Sequence, residues 1–115
     1  MRHMTAVSLE LVQPKPQALF FQAMANPVRM QIINLLREKG SLNVTQICAG
    51  LGMEQTHISH NLRCLAFCGL VTASRAGKSR VYSINAETVL PLLKIVDLHL
   101  RKYAANLLTC DGLER

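Results

Sequence analysis

Two cysteines, Cys64 and Cys68, stand four residues apart in the stretch HNLRCLAFCGLV, residues 60–71. If that stretch is helical, both thiols share one face, with Cβ atoms roughly 6 Å apart. A metal ion held tetrahedrally by thiolates needs sulfurs about 3.8 Å apart, a gap that side-chain rotation can close. A disulfide needs Cβ atoms nearer about 4 Å, so oxidation would strain an intact helix. The spacing favours a soft metal ion, with plain packing of two small apolar residues as the alternative.

The same stretch carries a second kind of chemistry. With Ile58, Leu62 and Leu65 as its core stripe, the positions left for solvent are Gln55, Thr56, His57, Ser59, His60 and Arg63. Amides, hydroxyls and an arginine near the start of a helix can bond base edges and phosphates in a major groove. On a helical wheel centred on Ile58, Cys64 and Cys68 fall about 80° to 120° from the core, on a flank shared with His57 and Asn61.

The rest of the chain must position this helix. Its 115 residues make one small domain, half of them apolar, of a size that often completes its core by dimerising. Residues 1–15 read as a loose arm, residues 16–109 as the folded domain and residues 110–115 as a tail. From Gln17 the run ALFFQAM predicts a helix ending near Ala25. Asn26 then caps a second helix with Pro27 at its first position, and Val28, Ile32, Leu35 and Leu36 form a stripe that stops at Gly40. A short helix follows, capped by Asn43 with Gln46 three residues on, and Gly50 and Gly52 bracket a tight turn. The long helix runs from about Glu54 to Cys68. LVTASR and SRVYSI then read as strands joined through Gly77. The last helix spans about Ala86 to Thr109, with Val89, Leu93, Val96, Leu100, Tyr103 and Leu107 along one side and a fresh start or kink at Pro91. This order predicts a mainly α fold with a small β-hairpin wing, a winged helix-turn-helix.

Charge agrees with that order. Thirteen basic residues against seven acidic give a net charge of +6. No acidic residue lies between Glu54 and Glu87, whereas Arg63, Arg75, Lys78 and Arg80 all fall in that gap. Such a concentration points to double-stranded DNA, the hairpin cations reaching phosphates or the minor groove. No signal peptide and no apolar run of membrane-spanning length are apparent, so the expected compartment is the cytoplasm, with the four cysteines reduced. Nothing pairs a nucleophile with a base and an orienting acid, so an enzyme is not expected.

The segments ANPVRMQIINLL, QICAGLGMEQTHISHNLRCLAFCGLV and GKSRVYSI resemble, in order and spacing, the ArsR/SmtB family of metal-responsive repressors. The resemblance covers roughly residues 17–108. It implies a winged-helix homodimer, paired through its first and last helices, that represses an operator until an inducer binds. Glu54 departs from the usual serine or threonine cap; its carboxylate suits the helix dipole but repels phosphate.

The family's inducer sites differ, and this chain matches them unequally. The positions of the arsenic-type cysteine pair hold Asn43 and Thr45, which supply no thiolate. Along the last helix, Asp97 and His99 lie near the zinc-type pattern, but its earlier ligands fall on about Ala86 and Thr88. Cys64 and Cys68, with Cys110 past the last helix, resemble the CmtR-type cadmium and lead sensors. The resemblance thus implies Cys64, Cys68 and Cys110 as ligands and Cd(II) or Pb(II) as inducer, with Zn(II) a further candidate. Cys48, beside Ile47, reads as packing, His60 as a DNA contact, and His3 has no partner in sequence. Two rivals share the scaffold: a thiol-based redox or persulfide sensor, and a winged-helix protein with no inducer.

Overall fold

The computed structural model describes residues 14–114, so His3 and most of the predicted arm lie outside the described residues. After Ile84 the chain divides into two compact units. The first contains α1 (Pro14–Met24), α2 (Pro27–Lys39), β1 (Leu42–Asn43), α3 (Val44–Leu51), α4 (Gln55–Phe67), β2 (Val71–Ala76) and β3 (Ser79–Ile84). The second contains α5 (Val89–Thr109). The winged helix-turn-helix expected from the sequence is the fold observed.

The helix starts are set by side chains, as their sequences predict. Asn26 Oδ1 accepts the backbone N–H groups of Val28 and Arg29 at 2.9 and 3.1 Å, and Pro27 occupies the first turn, where no N–H is needed. Asn43 and Gln46 close a reciprocal capping box, both bonds 2.8 Å long. Asn43 is also the last residue of β1, paired with Val81, so strand and helix meet in one residue.

The core of this unit is aliphatic. Ile32, Ile33 and Leu36 of α2, Ile47 of α3, Ile58, Leu62 and Leu65 of α4, then Leu70 and Val71 are all essentially inaccessible to solvent. Each such side chain stabilises the fold by about 1.5–3 kcal/mol relative to exposure. The predicted stripe of α4 is therefore its buried face.

Gly50 has a different job from the one its sequence suggests. It lies inside α3, not in the turn, and a Cβ there would come 2.9 Å from Leu35 Cδ2. Its lack of a side chain lets α3 approach α2. The turn itself belongs to Gly52, which adopts the left-handed conformation at φ 66° and donates its N–H to Cys48 O.

The sheet has the order β1–β3–β2, antiparallel throughout. The hairpin matches its prediction, with Ala76 opposite Ser79 and Gly77 at φ 64° in the turn. The third strand, β1, is not predicted, because two residues carry no readable alternation.

In the second unit, Asn85 Oδ1 accepts from the N–H groups of Glu87 and Thr88, and α5 begins at Val89, three residues later than expected. Pro91 therefore sits in the first turn, where its missing N–H costs no helix bond. Only Val89 and Leu93 of the predicted stripe are buried; Val96, Leu100, Tyr103 and Leu107 remain exposed. Among the described residues, no helix is long and apolar enough to cross a membrane.

Candidate nucleic-acid interface and thiol site

Burial of Ile58, Leu62 and Leu65 fixes the rotation of α4 and so decides what it shows to solvent. Gln55, Thr56, His57, His60 and Arg63 are exposed and Ser59 half-buried. Glu54 stands at the N-cap with no side-chain cap bond; only its carbonyl engages the helix, accepting from Ile58 N–H at 3.1 Å. Its carboxylate is left to the dipole and the solvent.

Arg75, Lys78 and Arg80 are exposed on the hairpin, Lys78 in its turn. Arg75 and Arg80 are directly opposed in the β2–β3 register. Like charges facing each other across strands are unfavourable on their own and become favourable around an anion. Ser59, Arg63 and Phe67 of α4 share a groove of about 450 Å³ with Arg80 and Tyr82 of the sheet. The fold thus brings helix and wing cations, predicted separately, to one surface. Phe67, exposed over 91% of its surface, marks the end of that groove, and sequence reasoning did not single it out.

On the flank of α4 the two thiols meet. Cys64 is half-buried inside the helix, while Cys68 is exposed and forms its C-cap, one residue beyond the last helical turn. The two thiols are near enough to interact electrostatically. Desolvation, followed by the charge and hydrogen bond of Cys64, pushes the Cys68 thiol above its usual range, while Arg29 pulls the other way. Cys68 also borders a small cleft against α1, with Pro16, Leu19, Phe20 and Ala23.

Arg29 is the residue that sequence reasoning missed. Its Nε donates to Asn61 Oδ1 at 3.0 Å and its Nη1 to Ala23 O at 3.2 Å. Asn61, 4% exposed, in turn donates Nδ2 to His57 O at 3.0 Å. One guanidinium therefore ties the end of α1 to the middle of α4, beside the thiols. A buried amide with both ends satisfied holds its helix firmly, since breaking either bond strands a polar group.

The remaining candidates stand as follows. Cys48 is half-buried in α3, and Cys110, exposed, follows α5. His99 stacks on Tyr103 with ring centroids 4.7 Å apart, and Asp97 is exposed. Among the described residues, no three His, Cys, Asp or Glu side chains stand together as a ligand set.

Residues 26–73 match the bacterial regulatory protein, arsR family. The chain is 47% identical over 72 residues to the HTH-type transcriptional regulator NmtR of Mycobacterium tuberculosis, an alignment taking in 63% of this chain and 59% of that regulator's length. It is 30% identical over 100 residues, 87% of this chain and 79% of the relative, to the "probable mercury resistance operon repressor" of Streptomyces lividans. The solution structure of the homodimeric winged helix-turn-helix DNA-binding domain of Mb0332 from Mycobacterium bovis superposes with a TM-score of 0.72 at 33% identity, covering 89% of each chain. The chain belongs to the ArsR/SmtB family of winged helix-turn-helix transcriptional regulators.

Proposed function

We propose that this chain is a transcriptional repressor that binds operator DNA as a homodimer and leaves it when a soft, thiophilic metal ion binds. The observation that carries the reading is the placement of Cys64 and Cys68, four residues apart, on the flank of α4, the helix whose solvent side holds exposed Gln55, Thr56, His57, His60 and Arg63 with Ser59 half-buried among them. Arg75, Lys78 and Arg80 extend that face along the wing toward backbone phosphates. The opposed Arg75 and Arg80 support it, since an anion between them relieves their repulsion.

The thiol pair fits a soft cation by its chemistry, two thiols on one flank of α4, with Arg29 partly offsetting the desolvation and the Cys64 interaction that raise the Cys68 thiol. Cys110, from the same chain or its partner, is the third thiolate in this reading, and Cd(II) or Pb(II) the inducer, ahead of Zn(II). Cys64, Cys68 and Cys110 would hold the ion, which would supply positive charge to their thiolates. Arg29, which bonds Asn61 of α4 and the end of α1 at once, would be placed to pass such a change to α4. Any coupling is reciprocal, so DNA weakens metal affinity by the factor by which metal weakens DNA binding.

The dimer is proposed to use α1 and α5, whose exposed apolar residues include Leu19 and Phe21 on the first and Val96, Leu100 and Leu107 on the second. The homodimeric state of the Mb0332 domain supports this. A repressor acts at the chromosome, so the reading carries a cytoplasmic location with it.

The second reading is a thiol-based repressor released by oxidants or persulfide, and the exposed Cys68 and Cys110 favour it. Operator binding titrated with Cd(II), Pb(II), Zn(II), As(III), peroxide and polysulfide separates the two, using DNA selected from a random duplex pool. Release by cadmium or lead, lost in Cys64→Ser, Cys68→Ser and Cys110→Ser, is the expected result. Unchanged affinity with every metal, but release by peroxide or polysulfide, selects the second reading.

A further inference from the structure

We propose that Arg29 is a positioning residue for DNA recognition: it holds α4 at a set angle to the end of α1, so that discrimination between base sequences depends on it and attraction to phosphates does not. The inference rests on the DNA-binding reading above, but on no inducer and no cysteine.

Three helices meet at this one residue. Its backbone N–H is bonded to Asn26 Oδ1 in the cap that starts α2. Its Nη1 donates at 3.2 Å to Ala23 O, a carbonyl in the last turn of α1, where the helix itself offers no donor. A cation there also suits the negative end of the helix dipole. Its Nε donates to Asn61 Oδ1 at 3.0 Å, and Asn61, 4% exposed, donates Nδ2 to His57 O within α4 at 3.0 Å. Both side-chain bonds of Arg29 go to neutral oxygens, so the guanidinium contributes geometry more than charge pairing.

Lengths decide what this joint governs. Ile58, Leu62 and Leu65 anchor α4 by apolar contact, which is non-directional and tolerates small tilts. Hydrogen bonds of fixed length do not. At 13 residues α4 is about 20 Å long, and Asn61 lies at its middle. A tilt of about 5° there displaces each end by roughly 1 Å, the end carrying Gln55 and Thr56 included. A base-edge hydrogen bond has a window of about 2.7–3.2 Å, so a shift of that size breaks it. A phosphate contact from a long cation such as Arg75 or Lys78 follows the shift by turning its side chain. Loss of the joint therefore removes base readout first and leaves the electrostatic part of binding.

The α1 arm of the joint has its own consequence. In the proposed dimer α1 lies at the interface, so Arg29 also sets α4 relative to its counterpart in the partner, and with it the half-site spacing the dimer accepts.

The test uses the full-length protein with a duplex selected from a random pool, the same duplex with one base pair inserted between its half-sites, and a scrambled duplex. Fluorescence anisotropy across a salt series reads all three. Arg29→Lys keeps the charge but brings one nitrogen to two acceptors. It should bind the scrambled duplex with wild-type affinity and salt slope, and the selected duplex about tenfold more weakly. Asn61→Leu removes the Nε bond from the α4 side, leaves the α1 arm in place and should show the same split. The double variant should lose no more than the larger single loss, since one joint is not broken twice. The inserted base pair should weaken wild type about tenfold and Arg29→Lys less than about threefold. Retained affinity for the scrambled duplex also establishes that each variant folds. Selected and scrambled affinities that fall together, or losses that add in the double variant, overturn the proposal. Preference that survives both Arg29→Lys and Asn61→Leu removes this inference alone, whereas a wild type that prefers no duplex removes the DNA-binding reading and the inference with it.

Discussion

Helices α2 and α5 look alike in sequence and differ in what they bury. Each carries an apolar stripe at helical spacing. In α2 the stripe residues Ile32 and Leu36 are sealed inside their own unit together with Ile33, and Val28 and Leu35 are half-buried. In α5, 21 residues long, Val89 and Leu93 are buried, but the stripe residues Val96, Leu100, Tyr103 and Leu107 keep 38–41% of their surface exposed. An apolar face this long is costly to leave in water, so α2 completes a core where α5 leaves a face uncovered, as the proposed dimer requires.

The largest expected effect is on the self-sufficient side. Ile33→Ala should lower unfolding free energy by about 2–5 kcal/mol in urea denaturation, with a cost that does not vary with protein concentration. A loss below about 1 kcal/mol would break the comparison, because α2 would then not be holding a core. Next, Leu100→Asp should raise the dimer dissociation constant about a hundredfold by sedimentation, with loss of operator binding and retention of the first unit's helical signal. Unchanged association would remove α5 from the interface.

A smaller effect tests how tightly the first unit closes. Gly50→Ala places a Cβ against the end of the flexible Leu35 side chain, so a cost of about 1 kcal/mol is expected, with DNA affinity preserved. The smallest effect lies in the proton held by the thiol pair. The pKa of Cys68 is raised in the fold, so its contribution to stability is present below the ordinary thiol range and is lost as pH rises through the folded value. Soft-metal affinity should therefore climb with pH into and beyond that range. In Cys64→Ser the thiolate absorbance of the remaining helix cysteine should appear at lower pH; an unmoved midpoint would show that the two thiols do not interact.

Much of the first unit was legible because its signals are local. Asn26-Pro27, Asn43 with Gln46, and the glycine in the hairpin turn act within three or four residues of themselves. What escaped depends on distance or on brevity. Arg29 reads as one more basic residue on a helix until Asn61, 32 positions away, is folded against it. Gly50 reads as part of a turn because the glycine that makes the turn is two residues later. β1 is too short to show a period. In α5 the stripe was legible but its burial was not, since periodicity names an apolar face without naming what covers it. The thiol spacing was legible, whereas the apolar wall beside Cys68 comes from α1 and could not be read from α4 alone.

Asn43 serves as the end of β1, the partner of Val81 in the wing and the cap of α3. A joint shared in this way ties wing and helix-turn-helix together like one jaw of a caliper, since bending there would break strand pairing and helix cap at once. An inducer then has little to gain by distorting either jaw. In the proposed dimer the variable left to it would be the gap between two jaws, and operator half-site spacing the quantity that senses that gap.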